Sequence, residues 1–149
     1  MKKIRFEMEN PPAKVEDMKR LEEHFCIQLP EDMKQFYLEH DGGVLPKESR
    51  IDEESCRLRH FLSLEHQYQE QDTTIYEMLK WQKMDGFIPM KYVPFCMDEA
   101  GDFYYIQVSG EEHGTVYYIF SECLDDFLND PKGEGLIAHS FSEFLECIK

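Results

Sequence analysis

Two aspartates four positions apart, Asp98 and Asp102, are the residues that best fit general acid–base chemistry. A pair of carboxylates does such work when burial raises the pKa of one of them, so that it keeps a proton while the other accepts one. Both residues, however, flank an Asp-Glu-Ala-Gly turn, where aspartate caps the backbone and glycine takes a positive φ. Because such a turn is normally wet, we favour a structural role for both residues.

The six histidines and five cysteines show no spacing typical of metal ligands. A catalytic Cys–His pair could still be brought together by folding, and the sequence neither supports nor excludes it. An odd number of widely spaced cysteines without a CxxC motif favours reduced thiols, with Cys96 and Cys123 buried beside apolar runs. We therefore expect no metal and no cofactor.

Acidic side chains form two clusters. The first lies within residues 97–114, which contain no Lys or Arg, and comprises Asp98, Glu99, Asp102, Glu111 and Glu112. The second comprises Glu122, Asp125 and Asp126, with Asp130 close behind. A solvated face that discourages aggregation is the plain interpretation of both clusters. The alternative, which we carry as the site hypothesis, is that they bind a protein partner.

Trp81, the single tryptophan, is the remaining candidate for partner binding. It stands on a predicted helix, slightly off the apolar stripe. We favour a half-buried position against the sheet, and the alternative is an anchor for a partner.

The elements that position these residues centre on two apolar runs, Val93–Met97 and Phe103–Val108, on either side of the Asp98 turn. They predict an antiparallel hairpin. Both faces of Phe103–Val108 are largely apolar, so we expect it inside a sheet and covered on both sides, with Thr115–Phe120 as a neighbour.

Two helices are predicted before the sheet. In the first, Asn10 is the N-cap and Pro11 the first helical residue, and the inner face is Val15, Met18, Leu21 and Phe25. The second begins at Pro30 and ends at Asp41-Gly42-Gly43, and its inner face is Met33, Phe36, Tyr37 and His40.

Later elements follow from short local signals. Arg57–Leu64 is a candidate strand. Three helices are predicted from serine or threonine caps, at Thr74 with Glu77, at Ser121, and at Ser140 with Glu143. The last of them packs through Phe141, Phe144, Leu145 and Ile148.

Chain length, hydrophobic content and net charge limit the class of protein. A chain of 149 residues with 42% hydrophobic content fits one α+β domain over residues 1–149. Its formal net charge of −15 repels nucleic acid and anionic membranes and attracts basic partners. The sequence contains no apolar stretch of signal-peptide or transmembrane type, so we expect a cytoplasmic protein. We further expect a monomer or a weak dimer.

Three segments, in the right order, resemble motifs of the SUKH superfamily, which includes immunity proteins and cell-wall regulators of the SMI/KNR type. The first is Leu29–Phe36 running into Asp41-Gly42-Gly43. The second is Val93-Pro94-Phe95 with Asp98, Gly101 and Asp102, followed by an aromatic strand. The third is Ser140-Phe141 with Glu143-Phe144-Leu145.

The resemblance implies an α+β fold with a mixed sheet and no enzymatic activity. With the local patterns it predicts an N-terminal helical hairpin, a central, mostly antiparallel sheet and a C-terminal helix packed on that sheet. It further implies an immunity protein that neutralises a polymorphic or contact-dependent toxin, often a nuclease and therefore basic. The runner-up is a regulatory scaffold that binds cellular proteins, and a small hydrolase using Asp98 and Asp102 is the weakest alternative.

Overall fold

In residues 1–70 and 72–149, which the computed structural model describes apart from the Ser121 side chain, helices and strands together confirm the α+β class. The strands are β1 (Met8–Glu9), β2 (Gly43–Val44), β3 (Leu58–Phe61), β4 (Tyr92–Asp98), β5 (Phe103–Gln107), β6 (Val116–Ile119) and β7 (Leu136–Ala138). The helices are α1 (Val15–Phe25), α2 (Glu31–Glu39), α3 (Ile75–Asp85), α4 (Leu124–Asn129) and α5 (Phe141–Cys147). A 3₁₀ turn, Ser121–Cys123, leads directly into α4.

The strands form one sheet in chain order, from β1 to β7, and each is antiparallel to its neighbour. β5 lies inside the sheet, with Ile106 opposite Val93 of β4 and Val116 of β6. This confirms the predicted central strand. The mixed sheet implied by the resemblance is not found, because parallel pairing in the described chain is limited to an isolated bridge between Ser63 and Thr74.

The turn between β4 and β5 has the predicted chemistry. Asp98 Oδ1 accepts hydrogen bonds from the backbone N–H groups of Ala100 and Asp102, each at 3.0 Å. Gly101 takes a φ of +88°, which side chains rarely allow. The aspartate thereby replaces backbone partners that the tight turn leaves unsatisfied.

The N-terminal helical hairpin is present, but its first helix begins later than predicted. α1 starts at Val15, and Asn10 is not its cap. The Asn10 side chain instead donates to the Asp41 carbonyl at 2.9 Å, and the Asp41 N–H donates to the Pro11 carbonyl at 2.8 Å. These bonds hold the segment extended along the end of α2. Val15 is consequently exposed, whereas Met18, Leu21 and Phe25 are buried as predicted.

α2 follows Pro30, as predicted, and ends at Glu39, just before the predicted Asp41-Gly42-Gly43. Met33, Phe36 and Tyr37 are buried on its inner face, whereas His40, which was predicted to share that face, is the buried and extended C-cap. Gly42, just beyond it, has a φ of +77°, and a Cβ there would lie 2.5 Å from the Phe61 carbonyl oxygen. Glycine is required because the turn after α2 passes against the backbone of β3.

Two of the predicted side-chain caps are confirmed. Thr74 Oγ1 accepts the Glu77 N–H at 3.1 Å, and Ser140 Oγ accepts the Glu143 N–H at 3.0 Å. The predicted cap at Ser121 depends on a side chain outside the described residues. The short strands β1, β2 and β7 were not predicted.

The sheet has two differently covered faces. Tyr104 and Ile106 of β5 join a large core to which α1, α2, α3 and α5 contribute, with Phe144 of α5 packed on Tyr104. Tyr105 points the other way, into a smaller cluster in which α4 supplies Phe127. That cluster comprises Tyr92, Tyr105, Tyr117, Ile119 and Phe127. A short helix therefore covers part of this second face.

The cysteines are free thiols with different surroundings. Cys96 is buried in β4, as predicted, and burial raises the pKa of its thiol well above the usual value. Cys123 is exposed, so its predicted burial is wrong. The physical reason is that it lies in the 3₁₀ turn on the surface, beyond the end of the apolar strand β6.

Candidate functional site

An open apolar groove lies on the second face of the sheet, between the C-terminal half of α3 and the strands β5 and β6. We call it the α3 groove; its volume is about 350 Å³. Phe103, Tyr105 and Ile119 come from the strands, Trp81 from α3 and Leu124 from the start of α4. The groove exists because α4 covers only part of this face.

A hydrogen-bonded corner fixes the wall of the groove. The Gln82 side chain is buried and donates from Nε2 to the carbonyls of Pro89, at 2.9 Å, and Tyr92, at 2.8 Å. Gly86 ends α3 with a φ of +70°, and Asp85 Oδ1 accepts the Phe87 N–H at 3.0 Å. These bonds tie the helix end to β4 and set the path of the chain that leaves it.

Trp81 is 64% exposed, so the half-buried position that we favoured is wrong. Ile75, Leu79 and Gln82 form the buried side of α3, and Trp81 follows Met78 by three residues on the adjoining side of the helix. The indole thus forms one edge of the groove instead of packing beneath the helix. Met84 and Phe87 are also exposed just beyond it.

Two carboxylates, Asp85 and Asp102, line the α3 groove. Burial raises the pKa of the Tyr105 hydroxyl, and the charges of Asp102 and Asp85 raise it further. Both carboxylates therefore act on the same side chain of the groove floor. Among the described residues that line the groove there is no Lys or Arg, so its electrostatic character is acidic.

Asp98 lies apart from this surface. It is 1% exposed, and its carboxylate accepts the Tyr118 hydroxyl at Oδ2, at 2.6 Å, besides the two turn N–H groups at Oδ1. The expectation of a wet turn is wrong for this residue, because Tyr118 of β6 packs over it. Its carboxylate is hydrogen-bonded within the fold and is not presented at the surface.

The other residues of the first acidic cluster are divided between the two ends of β5. Glu99 is exposed in the Asp98 turn and pairs with Arg57 at 3.1 Å. Glu111 is exposed in the loop before β6, at the opposite end of the strand. The neighbouring Glu112 pairs with Lys132 at 2.7 Å, which lowers the pKa of its carboxyl and balances its charge. The structure does not bring these residues into one site.

The second acidic cluster flanks the start of α4. Glu122, Asp125 and Asp126 are exposed, and Leu124 between them lines the α3 groove. Asp126 also lines a neighbouring hollow beside Phe120. Exposed acidic residues therefore stand on both sides of Leu124 in the sequence, next to the groove residue that α4 supplies.

Of the residues predicted from sequence, Trp81 and Asp102 come together in the α3 groove. Sequence reasoning missed Asp85 and the exposed Met84 and Phe87. A signal was available: large apolar residues off the helical stripe stand on both sides of the helix-ending Gly86, with Met84 two residues before it and Phe87 directly after it. In the described part of the chain, no group of three or more metal-ligating side chains is arranged around a common point.

Comparison with known protein families gives a match over most of the chain. The model of the SMI1 / KNR4 family (SUKH-1) matches residues 12–147, nearly the whole chain. A search of curated proteins found no match. In the described residues, no helix has both the length and the apolar character needed to cross a bilayer.

Proposed function

The chain belongs to the SMI1 / KNR4 family (SUKH-1), and from this premise we propose that it is an immunity protein that binds and neutralises a basic toxin domain. The toxin class that fits best is a nuclease acting in the cytoplasm, whose cleft must be basic to hold phosphates. By covering that cleft, the protein would exclude the nucleic acid. It acts by binding, as one domain, and needs no cofactor for this.

The observation that carries the proposal is the α3 groove, an exposed aromatic and acidic surface on a chain with a net charge of −15. Tryptophan is among the residues that contribute most when an interface buries them. An exposed Trp81 beside Met84 and Phe87 is therefore a typical anchor for a protein partner.

The distribution of charge supports a basic partner. Asp85 and Asp102 line the groove, and Glu122, Asp125 and Asp126 extend the acidic surface beyond Leu124. Complementary charge around an apolar centre speeds the encounter of the two proteins, and the apolar centre then slows their separation.

The test uses the C-terminal domain encoded by the gene next to that of this chain. Cells producing that domain alone should stop growing, and coexpression of this chain should restore growth. Trp81→Ala should weaken the purified complex by about 2 kcal/mol, or roughly thirtyfold in Kd, as truncation of an interface anchor does. Val15→Ala, a truncation of another exposed apolar residue, on α1, is the control and should leave Kd unchanged.

Failure to restore growth would contradict the proposal, whether or not the purified proteins bind. A neighbouring product that binds the chain and does not harm cells would favour the regulatory scaffold instead.

A further inference from the structure

We infer that the α3 groove receives an arginine side chain from a protruding segment of the partner, stacked on Trp81 and paired with Asp85 and Asp102. The inference rests on the proposed function in one respect, that the partner is a protein with a basic surface. It goes further by naming the side chain that is recognised and the residues that recognise it.

The size of the groove favours a segment of a few side chains. Its volume, about 350 Å³, lies at the lower end of the range of small-ligand sites, which is roughly 300–1,000 Å³. A protruding loop of the partner can enter such a space, whereas a flat protein surface would contact only its rim.

The chemistry of the lining matches the two parts of an arginine side chain. Phe103 and Ile119 offer apolar surface to the methylene stem. Trp81 is largely exposed and lines the groove, so its indole is available to the planar guanidinium, which the quadrupole of an aromatic ring attracts. Asp85 and Asp102 supply the carboxylates that a guanidinium binds through its paired N–H groups.

Lysine fits this lining less well. Its ammonium is compact and strongly hydrated, so it neither stacks on an indole as a plane nor binds a carboxylate through two parallel hydrogen bonds.

A second copy of this chain is disfavoured as the partner by its own charge of −15. Lys80 and Lys83 are exposed on α3, but neither lines the groove.

The groove is also held in shape before anything binds. The bonds from Gln82 to Pro89 and Tyr92 fix the end of α3 against β4. The carboxylate of Asp85 is oriented by its bond to the Phe87 N–H. A preorganised wall reduces the ordering cost of binding, so even a short peptide should report the preference of the site.

The experiment compares two short peptides, acetyl-Leu-Arg-Leu-amide and its citrulline counterpart, which replaces the guanidinium with a neutral group of the same shape. Trp81 is the single tryptophan, so its fluorescence reports the groove directly. We expect the arginine peptide to change the Trp81 emission in a saturable way. The citrulline peptide should bind at least about fivefold more weakly, since it lacks the charge that the carboxylates recognise.

Matched variants locate the effect. Asp85→Asn and Asp102→Asn keep the shape of the side chain and an oxygen acceptor. In Asp85→Asn, the side-chain oxygen can therefore still accept the Phe87 N–H. Each should weaken the arginine peptide by at least about fivefold and leave the citrulline peptide unchanged. Glu23→Gln, an exposed change on α1, is the control of equal charge and should leave both peptides unchanged.

Equal binding of the two peptides would overturn the recognition of arginine, and the absence of a saturable signal from either would overturn the site itself. The growth test of the proposed function is independent of both results. Restored growth with no peptide binding would remove this inference alone. Peptide binding without restored growth would remove the immunity function and leave an arginine site.

Discussion

Asp98 shows how one buried carboxylate can organise a turn and connect it to a more distant strand. Its Oδ1 holds the N–H groups of Ala100 and Asp102, and its Oδ2 accepts the Tyr118 hydroxyl from β6. Burial and this bond to Asp98 raise the pKa of the Tyr118 hydroxyl, which favours the protonated form that donates to Asp98.

Removing that hydroxyl should weaken the fold measurably. Tyr118→Phe leaves Asp98 Oδ2 in a buried site without its donor, and we expect a loss of about 1–3 kcal/mol in the free energy of unfolding. Urea titration of the two proteins measures this difference. Combining Tyr118→Phe with Asp98→Asn gives a double-mutant cycle, and a coupling energy near zero would mean that the 2.6 Å bond contributes nothing to stability.

His60 is the residue with the least satisfied polar side chain in the described chain. It is 3% exposed in β3, and neither ring nitrogen has a hydrogen-bond partner. Burial lowers the pKa of the imidazole; Asp72 opposes that shift and Arg59 adds to it. The folded protein therefore holds His60 neutral at a pH where the unfolded chain, with a histidine pKa of about 6.5, already binds a proton.

The stability of the protein should accordingly fall as the pH falls below about 6.5, by up to about 1.4 kcal/mol per pH unit from this residue. His60→Leu removes the proton-binding imidazole from the folded and the unfolded protein alike. The free energy of unfolding of the variant should therefore fall less than that of the original between about pH 7 and about pH 5.5. Urea unfolding at several pH values gives the comparison, and the raised pKa of Asp41 affects both proteins alike. Parallel curves for the two proteins would contradict the argument.

At the residue scale, local hydrogen-bond partners can be predicted from the sequence more reliably than the burial of a side chain. The turn role of Asp98 follows from Gly101 three positions later, so it could be predicted. Its burial depends on Tyr118, twenty positions away, and no local pattern indicates that contact. Trp81 was placed wrongly for a related reason, since the extent of α4 decides how much of the sheet face remains open.

At the scale of elements, β5 is the strand on which the sheet depends. Ile106 is fully buried and has strand partners on both sides. Ile106→Ala should lower the free energy of unfolding by about 2–5 kcal/mol, because it removes apolar contacts and leaves a cavity. Chemical denaturation measures the loss, and Val15→Ala, on the exposed side of α1, should cost less than about 0.5 kcal/mol.

A loss below roughly 1 kcal/mol for Ile106→Ala would contradict the central position of β5, since truncating a fully buried isoleucine lowers the free energy of unfolding by more than that.

Elements with a strong local signal were predicted, and those made by tertiary pairing were not. Thr74 and Ser140 cap their helices through bonds within three residues, so their roles can be deduced from spacing. β1 and β2 have two residues each and β7 has three, too few for an alternating pattern. The start of α1 was misplaced because Asn10 bonds to Asp41, thirty-one positions away.

At the scale of the whole molecule, the charge of −15 was evident from composition, but its distribution required the fold. Trp81 and Asp102 were predicted among the partner-binding residues. Their common groove could not be deduced, because it joins α3, the turn between β4 and β5, the strands β5 and β6, and the start of α4. Glu112 shows the converse, since Lys132 balances an acidic residue that the sequence presents as free surface charge.

The acidic surface should act mainly on the rate at which the toxin domain of the proposed function associates. Raising the ionic strength from about 0.01 M to about 0.15 M shortens the Debye length from about 30 Å to about 8 Å, so attraction between the two proteins is largely screened before contact. We expect the association rate constant to fall strongly and the dissociation rate constant to change much less. Surface plasmon resonance at several salt concentrations measures both.

Charge reversals and Trp81→Ala should then separate the two contributions. Reversing Glu122, Asp125 and Asp126 to lysine places positive charge beside the groove residue Leu124 and should slow association, with a weaker dependence on salt. Glu111→Lys, at the far end of β5, is the matched reversal and should have a smaller effect. Trp81→Ala should instead speed dissociation and leave the salt dependence intact, since an apolar anchor acts after contact. If neither salt nor any reversal changes association, the acidic surface serves solubility alone, and binding depends on the apolar part of the α3 groove.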